Sequence, residues 1–123
     1  MYAVAARNKD RAEAFAKKHG IEKAYGSYDE LIKDPEVDVV YNPVSFFGEL
    51  AILYIQKTEK PLFVKLPNML HFEWTMKALL AGKHVLNEKP SADTAEETRQ
   101  MFDLAEQKGL VLLDAYHYRY VDF

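Results

Sequence analysis

Short apolar runs alternate with capped helical stretches along this chain, and that alternation limits its fold more than any other feature. Tyr2 to Ala6 is an apolar run of strand length, and Asn8 after it is a good N-cap for a helix through His19. Ala12, Phe15 and Ala16 fall on one face of that helix, and Gly20 closes it. Ser27 and Glu30 have the spacing of a capping box, which opens a short helix with Leu31 and Ile32 turned inward and Pro35 at its end. Val37 to Tyr41 then reads as a β-branched strand bounded by Pro35 and Asn42-Pro43.

The second half repeats the pattern. A helix is predicted from about Asn68 or Leu70 to Leu80, with Leu70, Trp74, Met76 or Lys77, and Leu80 sampling its faces and Gly82 just past its end. A buried strand follows through Val85 and Leu86, and it ends in the charged tip Glu88-Lys89-Pro90. Thr94 and Glu97 form a second capping box, opening a helix whose Met101, Leu104 and Ala105 pack inward and which stops at Gly109 before a last strand, Leu110 to Leu113. Strand feeding helix feeding strand calls for a parallel sheet covered on both faces, a doubly wound α/β domain. In such sheets ligands sit outside the carboxyl ends of the strands, where Glu88-Lys89-Pro90 lies. A lone Lys before Pro is also an ordinary solvated turn residue.

The 123 residues suffice for one domain with a real core. A net charge of −3 gives no electrostatic reason to expect nucleic acid or an anionic membrane as partner. The longest apolar stretch, Phe46 to Ile55, contains Glu49 and is too short for a bilayer span of about 20 residues. The chain has no cysteine, and its N-terminus lacks the pattern of a signal peptide, so the expectation is a soluble, cytoplasmic protein. No residue cluster has the spacing of a metal site, and no Ser-His-Asp or Cys-His arrangement is evident.

One segment breaks the rhythm. Val44 to Lys65 is an apolar and aromatic piece placed where this architecture usually has a loop of about 2 to 6 residues. On either side of it the residues match a known family. Asp38-Val39-Val40-Tyr41-Asn42-Pro43, then Leu66-Pro67-Asn68 with His71, then Ala81-Gly82-Lys83-His84-Val85 and Glu88-Lys89-Pro90 resemble the glucose-fructose oxidoreductase (Gfo/Idh/MocA) family. Within it, Ala5-Ala6-Arg7 and Ala24 to Tyr28 also fit the dimeric dihydrodiol dehydrogenase and NADP-dependent D-xylose dehydrogenase branch. The resemblance implies a partial Rossmann-like NAD(P)-binding domain over 1–120 and, at 121–123, the start of a substrate domain. It implies further that the first strand, with its Gly-x-Gly-x-x-Gly turn, is missing.

Joining Pro43 to Leu66 restores the family's motif. Val44-Ser45 can be coded GTA-AGT and Lys65 AAG, the two ends of a spliceosomal intron. Residues 44–65 are therefore expected to be a retained intron or, alternatively, a true insertion such as an amphipathic helix from Phe47 to Lys57 covering the sheet edge.

The resemblance also implies the chemistry: hydride transfer between a small sugar or diol substrate and a nicotinamide, with Lys89 as the catalytic proton relay. Glu88 would fix the loop or touch the nicotinamide ribose, and Asn42, Pro67, Asn68 and His71 would line the cofactor. Arg119, in the aromatic segment after the last strand, would reach it too. An acidic residue after the first visible strand would bind the 2′-hydroxyl of NAD; Arg7 stands there instead, with no Asp or Glu at positions 5 to 7, which favours NADP. For Arg7, a surface position in the first turn of a helix is the competing reading; for His71, a helix-start hydrogen bond. The complete enzyme is expected to be a homo-oligomer and this piece inactive alone, the alternative being a non-catalytic α/β interaction module.

Overall fold

In a computed structural model of the chain, residues 2–42, 53–55 and 70–116 are described. The elements are β1 (Ala3–Ala5), α1 (Lys9–His19), β2 (Lys23–Tyr25), α2 (Tyr28–Lys33), β3 (Val39–Asn42), β4 (Leu53–Ile55), α3 (His71–Leu80), β5 (His84–Asn87), α4 (Ala95–Lys108) and β6 (Leu112–Asp114). They form the expected doubly wound α/β architecture around one sheet of order β2-β1-β4-β3-β5-β6.

The caps read from the sequence set the helix boundaries. The Asn8 side chain accepts from Arg11 N, Ser27 from Glu30 N, and Thr94 and Glu97 close a full reciprocal box. Gly20 and Gly109 end α1 and α4 at φ of 64° and 65°, a conformation that glycine enters without a Cβ clash.

Period two assigns the faces. Ala3 and Ala5 of β1, Val40, Val85 and Leu112 point to one side, where Tyr28, Leu31 and Ile32 of α2, Ala78 and Leu79 of α3, and Met101 and Ala105 of α4 complete the larger core. Val4 and Ala6 point to the other side and meet Ala12, Ala16 and Ile21. Among the described residues α1 alone covers that second face, and it lies over β1 and β2; Val39 and Leu113, farther along the sheet, are 38% and 44% exposed.

The structure departs from the sequence expectations, or completes them, in three places. β2 was not anticipated; it is a three-residue edge strand beginning with a lysine. The buried face of α3, which the sequence left open, is His71, Thr75, Ala78 and Leu79, the two polar residues finding hydrogen bonds inside, with Leu70, Trp74 and Met76 packed partly buried against the core and Leu80 60% exposed.

The third place is β4. Leu53–Ile55 is a strand rather than part of a helix over Phe47 to Lys57, and it does not cover an edge. It pairs antiparallel with β1 at Ala3↔Ile55, Val4↔Tyr54 and Ala5↔Leu53, and with β3 at Tyr41↔Tyr54, while every other pairing is parallel. In the strand order 3-2-1-4-5-6 of a dinucleotide-binding sheet, β4 takes the place of strand 1 and runs the opposite way. Two facing strands with unpaired backbone groups accept whichever short apolar run can satisfy them.

At the amino-terminal edge of the sheet, polar groups are tied together. Lys23 Nζ donates to Asp34 Oδ2 at 3.0 Å and Glu36 Oε2 at 2.8 Å, the Tyr2 hydroxyl donates to Glu36, and the Tyr25 hydroxyl donates to Asp34 Oδ2 at 2.5 Å. Glu36 N closes on Asp34 Oδ1 at 2.9 Å, and the buried Lys83 donates to the Asp34 carbonyl at 2.9 Å.

Candidate functional site

Four of the candidate residues, Asn42, His71, Glu88 and Lys89, lie at the opposite, carboxyl-terminal edge. β3 ends at Asn42, β5 at Asn87 and β6 at Asp114, and these three residues are in register across adjacent strands. In a parallel sheet such partners share a face, here the one covered by α3 and α4. Asn42 and Asn87 are fully buried. The Asn42 Nδ2 donates to the His71 carbonyl and to Thr75 Oγ1, both at 3.2 Å, and Thr75 Oγ1 donates to Asn87 Oδ1 at 3.4 Å.

Beyond Asn87 the chain turns through Glu88-Lys89-Pro90-Ser91, and bonds hold this turn along its length. The Glu88 backbone N–H donates to the Asn42 carbonyl at 2.9 Å, which extends the β3–β5 ladder by one step. The Tyr41 hydroxyl donates to Glu88 Oε1 at 2.5 Å, and the other carboxylate oxygen accepts from Lys89 N at 3.2 Å. Burial and this carboxylate push the Tyr41 phenol far above its ordinary range, so it stays a donor. Asn87 Nδ2 donates to the Ser91 carbonyl at 2.7 Å.

His71, fully buried at the start of α3, is 2.7 Å from the Pro90 carbonyl through Nδ1. A carbonyl only accepts, so Nδ1 carries the proton and Nε2 of the neutral ring is an acceptor. Burial lowers the His71 pKa, against the pull of the Pro90 carbonyl and of Glu88, Asp93 and Asp114.

Three buried side-chain atoms among the described residues have no partner: Asn42 Oδ1, His71 Nε2 and Asp114 Oδ1. All belong to this edge, and with the ring neutral all three are acceptors. An unmet buried polar atom costs about 1–3 kcal/mol, so each of the three is open to a hydrogen-bond donor.

The structure thus brings Asn42, His71, Glu88 and Lys89 to one edge. Lys89 is exposed at the crest of the turn, and among the described residues nothing holds its Nζ. Arg7 is also exposed, beyond the carboxyl end of β1 and just before α1, with its guanidinium toward Tyr28, whose hydroxyl burial pushes up to about 12 against the pull of Arg7. Pro67, Asn68 and Arg119 lie outside the described residues. His84 is a tie within the sheet, its Nδ1 accepting from Val111 N at 2.9 Å. Thr75, Asn87 and Asp114 stand at the same edge and were not among the sequence candidates; for Asn87 and Asp114 the available signal was a polar residue closing an otherwise apolar strand.

The fold agrees with what similar proteins indicate. Residues 1–116 match the oxidoreductase family with the NAD-binding Rossmann fold, Gfo/Idh/MocA. The chain is 38% identical over 118 residues to D-xylose 1-dehydrogenase (NADP(+)) 2 of Haloferax volcanii, covering 96% of this chain and 30% of that protein. It is 42% identical over 113 residues to trans-1,2-dihydrobenzene-1,2-diol dehydrogenase of Homo sapiens, covering 92% and 27%. Among solved structures, the 3-ketoreductase KijD10 from Actinomadura kijaniata, in complex with NADP and TDP-benzene, superposes with a TM-score of 0.75 at 30% identity, over 98% of this chain and 30% of that one. The chain therefore spans less than a third of the length of these relatives, and over that span it belongs to the Gfo/Idh/MocA oxidoreductase family with its NAD-binding Rossmann fold.

Proposed function

We propose that this chain is part of the nucleotide-binding domain of an NADP-dependent oxidoreductase that oxidises a sugar such as D-xylose, or a trans-dihydrodiol, at a carbon bearing a hydroxyl group. The observation that carries this reading is the placing of every partnerless buried polar atom among the described residues at the edge that also bears Lys89. The names of the relatives supply the substrate classes.

The residues fit the cofactor in part. Arg7, exposed beyond β1 with no carboxylate at positions 5 to 7, suits a 2′-phosphate, and the acceptor-lined edge suits a group rich in N–H and O–H donors. The five glycines, at 20, 26, 48, 82 and 109, include no Gly-x-Gly-x-x-Gly to receive a pyrophosphate. Cofactor binding by this sequence alone is therefore expected to be weak. When bound, nicotinamide supplies a hydride acceptor. Lys89 takes the proton from the substrate hydroxyl as the hydride leaves. Glu88, fixed by Tyr41, sets the turn that carries it.

The test is an enzyme assembled from the Haloferax volcanii dehydrogenase with residues 70–116 of this chain in the matching stretch. NADP-dependent oxidation of D-xylose that falls about 10²–10⁴-fold in Lys89→Met supports the reading. An assembled enzyme that folds and binds NADP but turns over equally well with Met at this position overturns it.

A further inference from the structure

Asn87 closes β5 on the core-facing side, where Val85 two residues earlier packs as an apolar residue. An aliphatic side chain there would bury surface at no polar cost, whereas a buried amide is tolerated only when its hydrogen bonds are made. Both ends of this amide are used. Its Nδ2 donates across the turn to the Ser91 carbonyl, and its Oδ1 accepts from Thr75, whose hydroxyl in turn accepts from Asn42.

The relay therefore runs from the end of β3, through α3, to the end of β5, and terminates on the far side of the Glu88–Ser91 turn. We propose that Asn87, braced through Thr75 by Asn42, is a positioning residue that sets the orientation of this turn and hence where Lys89 presents its amine; this rests on the reading of Lys89 as proton relay. Since no described residue holds Lys89 Nζ, the backbone of the turn is what fixes its origin. Catalytic groups must be held within about 0.5 Å and 10–20°, and a misplacement of about 1 Å can cost about 10²-fold in rate.

Two measurements test this. In the chain itself, Asn87→Leu is expected to lower the backbone order parameters of Lys89 and Ser91 from about 0.85 to below about 0.6, with those of β1 and α4 unchanged. Thr75→Val should act in the same direction, and Thr75→Ser, which keeps the hydroxyl, should restore the original values. Unchanged order parameters at the turn, or a loss spread evenly over the chain, overturns the proposal.

In the assembled enzyme, Asn87→Leu is expected to lower kcat about 10- to 100-fold at constant KM for NADP. An unchanged kcat overturns the link from turn to chemistry. If instead Lys89→Met retains full turnover, the catalytic role of Lys89 fails and this link fails with it, while the order parameters still decide whether Asn87 holds the turn.

Discussion

The two edges of the sheet are built from similar polar residues and treat them differently. At the amino-terminal edge Tyr2, Lys23, Tyr25, Asp34, Glu36 and Lys83 tie one another down. At the carboxyl-terminal edge Asn42, His71 and Asp114 each keep a buried atom without a partner. The first arrangement lowers the energy of the fold; the second raises it and is sustained by the rest of the core. Natural proteins accept such a cost mainly where a ligand or reaction repays it.

The contrast is sharpest in a pair of substitutions. Lys89→Met, at an exposed crest, should cost about 10²–10⁴-fold in turnover of the assembled enzyme and leave the melting temperature of this chain unchanged. Asp34→Ala should do the reverse. Asp34 is buried, and it gathers Lys23, Tyr25 and the Glu36 N–H; losing these is expected to cost about 2 kcal/mol, read as a lowered urea midpoint with an unchanged m-value. If Lys89→Met destabilises as much as Asp34→Ala, the division of labour between the edges does not hold.

The pH dependence separates the edges again. The His71 pKa is lowered in the fold by burial, so its contribution to stability is complete above the unfolded value of about 6.5 and drains away as pH falls toward the folded value. For Asp34, burial works upward, but Tyr25, the Glu36 N–H and Lys23 outweigh it and hold the carboxyl low; Glu36 is held low first by Lys23 and then by Tyr2. Their contribution is complete above about pH 4 and is lost only as pH falls through their folded values. Stability should therefore decline in two stages, and His71→Gln should remove the upper one. A single decline below pH 4 in the unsubstituted chain would contradict this assignment.

These differences mark where the sequence was informative. Caps and glycine stops are local chemistry, so Asn8, Ser27, Thr94, Gly20 and Gly109 were legible and stand where expected. The Glu88-Lys89-Pro90 tip was legible because it follows an apolar strand. The helix-start hydrogen bond considered for His71 is present, to Pro90 nineteen residues on, whereas Thr75 drew no reading because its partners, Asn42 and Asn87, lie 33 and 12 residues away. β4 was illegible for another reason. A short apolar run such as Leu53-Tyr54-Ile55 suits helix or strand equally, and the open ladders of β1 and β3 decide.

The smallest effect is the most discriminating, because it runs against the usual direction of substitution. Asp114 Oδ1 is buried without a partner at the end of β6, so replacing the carboxylate with an apolar side chain removes an unmet acceptor and leaves none behind at that atom. Asp114→Leu is accordingly expected to stabilise this chain by up to about 1 kcal/mol, a rise of a few degrees in melting temperature, while weakening turnover in the assembled enzyme. A stabilised but less active variant would show that the carboxyl-terminal edge holds its acceptors in reserve for a donor-rich ligand. A destabilised one would mean that Asp114 is satisfied in solution and that the two edges differ less than their hydrogen bonds suggest.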